Sequence, residues 1–243
     1  MGRLDGQVAI VTGGGSGIGR ETARMLAAEG AHVVVAGRRK APLDAVVREI
    51  EKAGGKAIAR QADVGRHAEA VELARFTVAT LGRVDVLVNN AGHSSTARSI
   101  RWVAKDEWDS VLDVNLNGVY ALTQAVLPGM IERGGGTIVT VSSVAAFRPG
   151  LIGGAPYGAA KAGVRNLMGH VHAVLRDKGI RATTIMPAEV DTPILDNRPL
   201  VPDARARATM MQPEDAMSPT IQRDMTADIA TAARVGEPGA ATR

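Results

Sequence analysis

Val8-Ala9-Ile10-Val11 is a short apolar run that passes without a break into Thr12-Gly13-Gly14-Gly15-Ser16-Gly17-Ile18-Gly19, and a helix-forming stretch from Arg20 to Ala28 follows at once. A buried strand, a glycine turn and a helix in that order constrain the fold more than any other feature of the chain. The glycines permit a tight turn and let the backbone approach a pyrophosphate, which then rests on the N–H groups and the positive end of the helix. A flexible glycine-rich linker has the same residues but neither the strand before it nor the helix after it.

The pattern repeats along the chain. His32-Val33-Val34-Val35-Ala36, the weaker Ala57-Ile58-Ala59-Arg60-Gln61, Val84 to Val88 and Ile138-Val139-Thr140-Val141 are further strand-like runs separated by helical stretches. Such alternation argues for a parallel sheet covered on both faces. The expected fold is therefore α/β: a Rossmann-type doubly wound parallel sheet with helices on both faces. With 243 residues, 45% of them apolar, the chain reads as a single domain spanning 1–243 with a large core. Open sheets of this kind bind ligands at the carboxyl ends of their strands. Gly13, Asp63, Asn90 and Ser143 all fall at that position.

Tyr157 and Lys161 stand four residues apart, with Ser143 upstream at the end of the Ile138–Val141 run. If the stretch from Tyr157 is helical, the two side chains share a face, and an ammonium beside a phenol favours the phenolate. A tyrosine so tuned can pass a proton near neutral pH. Alone, the pair would equally describe a helix start with one exposed lysine.

Bulk properties narrow the function. The net charge of +4 and the pI near 9.7 are basic, yet Lys and Arg are scattered among acids and aromatics make up only 2%. No basic stripe or stacking platform for nucleic acid is expected. No stretch of 18 apolar residues exists, so no membrane span is expected, and Met1-Gly2-Arg3-Leu4-Asp5 does not read as a signal peptide. The chain has no cysteine, which fits a cytoplasmic protein, and its five histidines show no metal-ligand spacing, so no metal is expected.

Taken in order, Thr12-Gly13-x-x-x-Gly17-Ile18-Gly19, Asp63-Val64, Asn89-Asn90-Ala91-Gly92, Asn115, Ser142-Ser143, Tyr157-x-x-x-Lys161 and a strand end containing Pro187 resemble the short-chain dehydrogenase/reductase family in its short, single-domain form. The likeness covers roughly residues 4–215. It implies an oxidoreductase interconverting a carbonyl and a secondary alcohol with a nicotinamide cofactor. Under it, Tyr157 is the general acid or base, and Lys161 lowers its pKa and holds the nicotinamide ribose. Ser143 orients the substrate oxygen, with Ser142 as its possible substitute, and Asn115 supports a water chain through Lys161. The cofactor-binding positions it implies are Gly13, Ser16, Gly17, Ile18, Gly19, Asp63, Val64, Asn90, Ala91, Gly92, Tyr157, Lys161, Pro187, Val190 and Thr192. A homodimer or homotetramer, paired through the helices expected at 104–127 and 157–177, is also implied. A catalytically silent nucleotide-binding protein on the same fold is the alternative.

The second strand ends in Gly37-Arg38-Arg39, where an acidic residue would bind the adenosine ribose and repel a 2′-phosphate. Arg38 and Arg39 can instead pair with that phosphate, Arg38 foremost. NADP is therefore expected ahead of NAD, although two arginines can also simply begin a solvated helix. Asp63 is read either as an adenine contact, by resemblance, or as a cap for the next helix.

Two stretches depart from the family. The usual Pro-Gly strand end is Pro187-Ala188-Glu189 here, and Glu189 near the substrate mouth is expected either to disfavour anionic substrates or to face solvent. Beyond Asp215 the apolar helix and final strand of the family give way to Ala216-Met217-Ser218-Pro219 and a polar, Ala- and Gly-rich tail. The final strand is expected to be absent or remade, and the atypical tail over 216–243 fits a reading-frame change in the coding DNA near Ala216. Residues 193–212, polar and proline-rich, are the expected substrate lid, without order in the absence of ligand. The substrate itself is not specified: the loops that choose it follow Gly92, run from Phe147 to Ala155 and form the lid.

Overall fold

β-branched and aliphatic runs become the strands, because they can bury both faces of a pleated sheet. The computed structural model describes residues 2–151, 153–198 and 200–217. Its strands are β1 (Val8–Thr12), β2 (His32–Gly37), β3 (Lys56–Gln61), β4 (Val86–Asn89), β5 (Gly136–Val141) and β6 (Ile180–Ile185). They pair in the order β3-β2-β1-β4-β5-β6, every pairing parallel. The expected doubly wound sheet is present.

Side chains alternate between the two faces, as the period-two geometry of a strand requires. Ile10, Val34 and Leu87 point into one core, where they meet α3 (His67–Leu81), α5 (Gly118–Glu132) and α6 (Ala155–Leu175). Their neighbours Val11, Val33, Val35, Val86 and Val88 point into the other, under α1 (Gly17–Ala28) and α2 (Lys40–Lys52). The chain reverses direction across the sheet between β1 and β4, and the crevice opens at that switch point.

The helix expected over 104–127 is two helices. α4 (Lys105–Leu112) runs into a five-residue π turn, Asp113–Asn117, before α5 continues to Glu132. The extra residue in the π turn rotates Asn115 into the core, where it is fully buried. Gly118 follows, and a Cβ there would lie 2.4 Å from the Val64 carbonyl, so only glycine lets α5 sit this close to the β3–α3 loop. The helix expected from Tyr157 starts at Ala155, with Pro156 in its first turn, where a missing N–H costs nothing.

The 193–212 segment holds a short 3-10 turn (Pro193–Asn197) and one helical turn, α7 (Ala204–Arg207). Arg207 organises it by pairing with Asp191 at 2.9 Å, with Asp196, and with the Pro202 carbonyl at 3.2 Å. These ion pairs tie the segment to the loop that follows β6. Among the described residues β6 is an edge strand, while the remade final strand and the tail expected over 216–243 lie, beyond Met217, outside the described residues. No described helix is long and apolar enough to cross a membrane, and among the described residues no group of His, Cys, Asp or Glu could hold a metal ion.

Asp85 fastens the base of the sheet. Its buried carboxylate accepts from the Val8 N–H at 2.9 Å and pairs with Arg83 at 2.6 Å. Asp85→Ala strands that N–H, so urea unfolding is expected to show a loss of about 1–3 kcal/mol with an unchanged m-value. A loss below about 0.5 kcal/mol would contradict the assignment.

Candidate active site

A cavity of about 610 Å³ lies at the carboxyl ends of the strands. Its floor is the glycine turn. Gly13 has φ +64°, and a Cβ there would lie 2.8 Å from the Asn90 side chain; Asn90 Nδ2 in turn donates to the Thr12 carbonyl at 2.9 Å and the Gly13 carbonyl at 3.3 Å. Thr12 Oγ1 accepts from the Asn90 and Ala91 N–H groups at 3.0 and 3.1 Å. The β1 turn and the β4 turn are thus one hydrogen-bonded unit. Gly13, Ser16, Gly17 and Ile18 line the cavity, and so do Asn90, Ala91 and Gly92. Ser16 precedes α1 without capping it through its side chain, so the first turn of the helix offers its N–H groups toward the cavity.

Gly19 does not line the cavity. A Cβ at Gly19 would lie 2.4 Å from both Asn90 Nδ2 and the Gly13 carbonyl, so its part is to let α1 pack against the turn. Gly17, with φ +51°, makes room for Thr192, whose methyl would lie 3.0 Å from a Cβ there. That contact ties the post-β6 loop to the start of α1, and Pro187, Val190 and Thr192 line the same cavity.

The carboxyl end of β5 meets α6 through two reciprocal bonds. Lys161 Nζ donates to the Val141 carbonyl at 2.8 Å, and Ser142 Oγ donates to the Lys161 carbonyl at 2.8 Å. Ser142 is therefore spent on structure. Ser143 lines the cavity, accepts from the Ala145 N–H at 3.2 Å and acts on the Tyr157 hydroxyl to favour its phenolate. Tyr157 and Lys161 line it too, with the ammonium 5.5 Å from the centre of the phenol ring. Asn115 lies beneath this group rather than on the cavity wall. Its Nδ2 donates to the His93 and Val111 carbonyls, each at 2.9 Å, which fixes the orientation of the amide. Its Oδ1 is buried and, among the described residues, takes no hydrogen bond. A Cβ on Gly92 would lie 2.5 Å from that oxygen and 3.5 Å from Lys161 Nζ, so the two groups border one small space.

The electrostatics differ from the simple expectation. Burial pulls Lys161 down to about 8. Burial also pushes the Tyr157 phenol above its ordinary value, opposed first by the Ser143 hydrogen bond and then by Arg198 and Arg98. Lys161 is not among the groups that lower Tyr157. An ammonium taken wholly out of water loses its own preference for the charged form, and its proton is directed at Val141. In the protein without ligand, Tyr157 is therefore held as the neutral phenol.

Arg38 and Arg39 are exposed at the cavity rim beside Gly37. Asp63 lines the cavity near them and accepts from the Gly65 N–H at 3.1 Å. It makes a local turn and does not cap α3, whose N-cap is Arg66. Glu189 is exposed to solvent, as one of its two readings held, and pairs with Arg198 at 2.7 Å. Sequence reading missed Arg98 and Glu107 altogether. Only the fold brings the loop after β4 beside Tyr157.

The pattern that describes the short chain dehydrogenase family matches residues 7–200. The chain belongs to that family. Among its relatives, 3-oxoacyl-[acyl-carrier-protein] reductase of Thermotoga maritima is 38% identical over 197 residues, covering 81% of this chain and 79% of the relative. A metagenomic short-chain oxidoreductase solved in complex with NADP superposes with a TM-score of 0.79 at 34% identity, covering 92% of each chain. The 3-ketoacyl-(acyl-carrier-protein) reductase of Brucella melitensis complexed with NADH gives a TM-score of 0.83 at 30% identity, covering 93% of each chain. The fold and the glycine turn thus sit in a family of oxidoreductases.

Burial of Lys161 carries a pH signature. Its value falls from 10.5 to about 8 on folding, so the unfolded chain binds more protons between those two values and stability rises with pH across that window. Lys161→Met removes the rise. Below pH 8 the ligand-free variant is expected to be more stable than the parent by about 1–3 kcal/mol in chemical denaturation. Parallel pH profiles for the two proteins would contradict this.

Proposed function

We propose that the protein is an NADP(H)-dependent oxidoreductase interconverting a carbonyl and a secondary alcohol, with Tyr157 as general acid and base. The observation that carries the proposal is that Tyr157 and Ser143 line the same cavity that the glycine turn floors, with the Lys161 ammonium 5.5 Å from the centre of the phenol ring. A bound nicotinamide would give or take the hydride at this site.

The protein's own residues do the rest. Ser143 and Tyr157 together hold the substrate oxygen, and the neutral phenol is the form that can give a proton to a carbonyl oxygen as it becomes an alkoxide. Lys161, poised near neutral pH, passes a proton toward the space it shares with Asn115 Oδ1, where a water would find an acceptor. Orientation supplies the larger effect, up to ~7–11 kcal/mol, while the acid contributes roughly 10²–10⁴-fold. The glycine turn and the open first turn of α1 would hold a pyrophosphate. Asp63 would meet the adenine, with Val64 beside it, and Pro187, Val190 and Thr192 would flank the nicotinamide.

The choice of NADP rests on Gly37. A Cβ there would make only an ordinary 3.4 Å contact with Leu43, so packing does not exclude an acid at this position. Its absence beside Arg38 and Arg39 suits a 2′-phosphate. Assembly as a homodimer or homotetramer is supported by the exposed apolar side chains of Tyr120 and Ile131 on α5 and Val174 on α6.

Fluorescence titration with NADPH and NADH tests the cofactor. NADPH is expected to bind more tightly, and Gly37→Asp to reverse the preference; a parent protein that favours NADH would overturn the assignment. Tyr157→Phe is expected to lose about 10²–10⁴-fold in turnover with cofactor affinity nearly unchanged. Turnover that survives the substitution would remove Tyr157 from its role.

A further inference from the structure

Tyr157 is only the third residue of α6, in a first turn whose N–H groups have no partner within the helix. Helix ends fray unless something outside holds them. Gly153, just before this helix, borders the phenol directly. A Cβ on Gly153 would lie 2.2 Å from Tyr157 Cδ1 and 3.0 Å from both Cγ and Cε1. Cγ is the root of the ring rather than its tip, so a small swing of the phenol would not make room. The whole side chain would have to turn to another rotamer. One edge of the ring therefore occupies the space that any side chain on Gly153 would take.

Gly153 is itself held in place by the loop after β4. The Ser95 N–H donates to the Gly153 carbonyl at 3.2 Å, and the Ala155 N–H, the first of α6, donates to the Arg98 carbonyl at 3.2 Å. Between those bonds Gly154 has φ +82°, and a Cβ there would lie 2.8 Å from Ser95 Cβ, so the two segments touch with no side chain between them. Glu107, in the first turn of α4, grips the loop from its other side. A single carboxylate oxygen accepts from Ser95 Oγ at 2.8 Å, the Ala97 N–H at 3.0 Å and the Thr96 N–H. Ser95 is fully buried. Bonds to a charged oxygen are roughly twice as strong as neutral ones, so this grip is firm.

Resting on the redox reading above, we propose that Glu107 and Gly153 are positioning residues for Tyr157. Glu107 fixes the loop over residues 95–98, the loop fixes Gly153, Gly154 and Ala155, and Gly153 keeps clear the space in which the phenol ring stands. Neither residue gives or takes a proton. Glu107 acts through the oxygen that gathers three donors and not through its charge on the phenol, and Gly153 acts through the side chain it lacks.

The test reads the ring first and its chemistry second, in the full chain. Tyrosine labelled at ¹³Cζ gives one resonance for Tyr157 and one for Tyr120 on α5, which serves as the control. In the ligand-free protein, Gly153→Ala and Glu107→Ala are expected to move the Tyr157 resonance and leave that of Tyr120 in place. Glu107→Gln keeps the accepting oxygen and is expected to restore the parent spectrum. With NADPH and methyl 3-oxobutanoate, both alanine variants should lose about 10–100-fold in kcat, since a misplacement of about 1 Å can cost that much. NADPH affinity, read by fluorescence, should stay within about twofold of the parent, and Glu107→Gln should recover kcat to within about threefold. A Tyr157 resonance unmoved in both alanine variants, a Tyr120 resonance that moves with it, NADPH affinity that falls in step with kcat, or a Glu107→Gln protein that behaves like Glu107→Ala would each overturn the proposal. The redox reading fails separately. A Tyr157 resonance displaced in the alanine variants and restored in Glu107→Gln, with turnover equal in all four proteins, upholds the positioning and removes Tyr157 from the chemistry.

Discussion

A single buried ammonium holds the site together. Lys161 sits out of water with its Nζ on the Val141 carbonyl, and its own carbonyl receives the Ser142 hydroxyl. These two bonds fasten α6 to the end of β5. One turn earlier on α6 stands Tyr157, and one residue beyond Ser142 stands Ser143, so the strap brings both hydroxyl residues to the wall of one cavity. The packing of α6 repeats the theme: Gly163 lets Leu116 come within 3.2 Å of where a Cβ would be, and that places the π turn with Asn115 directly beneath Lys161. Burying a cation is costly unless it is well bonded. Here the cost appears as a lysine lowered to about 8, and the return is a group that can exchange a proton near neutral pH.

The parts of this arrangement that are local in sequence were legible. The glycine turn, the strand-like runs and the Tyr157/Lys161 spacing each follow from steric and periodic rules acting over a few residues, and the structure places them as those rules require. Charge was less legible. The i, i+4 spacing put Lys161 beside Tyr157 correctly, but the depth of burial that lowers Lys161 itself to about 8 depends on elements distant in the chain. The π turn escaped for a related reason, since hydrophobic periodicity runs straight through residues 104–127 and one inserted residue hardly disturbs it. Arg98, Glu107 and Arg207 escaped because their partners come from other segments. Arg207 pairs with Asp191 and Asp196, and Arg98 acts on Tyr157 from the far side of a crossover.

Stability and chemistry pull against each other at this site. The glycine turn and the buried ammonium both cost folding free energy, and the parallel core of two apolar faces offsets them. A ligand would relieve part of the same cost, since a pyrophosphate would occupy the open first turn of α1. Binding is therefore expected to tighten the loops after β4 and β6, which already meet at the cavity mouth.

The measurement closest to the centre of this account is the ionisation of Tyr157. The chain has only two tyrosines, so ¹³Cζ-tyrosine labelling gives two resonances, which Tyr157→Phe assigns. In the ligand-free protein Tyr157 is expected to titrate above the ordinary tyrosine value of 10.0, and to fall when NADP⁺ is added and its positively charged ring enters the cavity. A Tyr157 that titrates below 10.0 without ligand would contradict the account, because Lys161 would then still carry its charge at the pH where the phenol titrates rather than having lost it near 8.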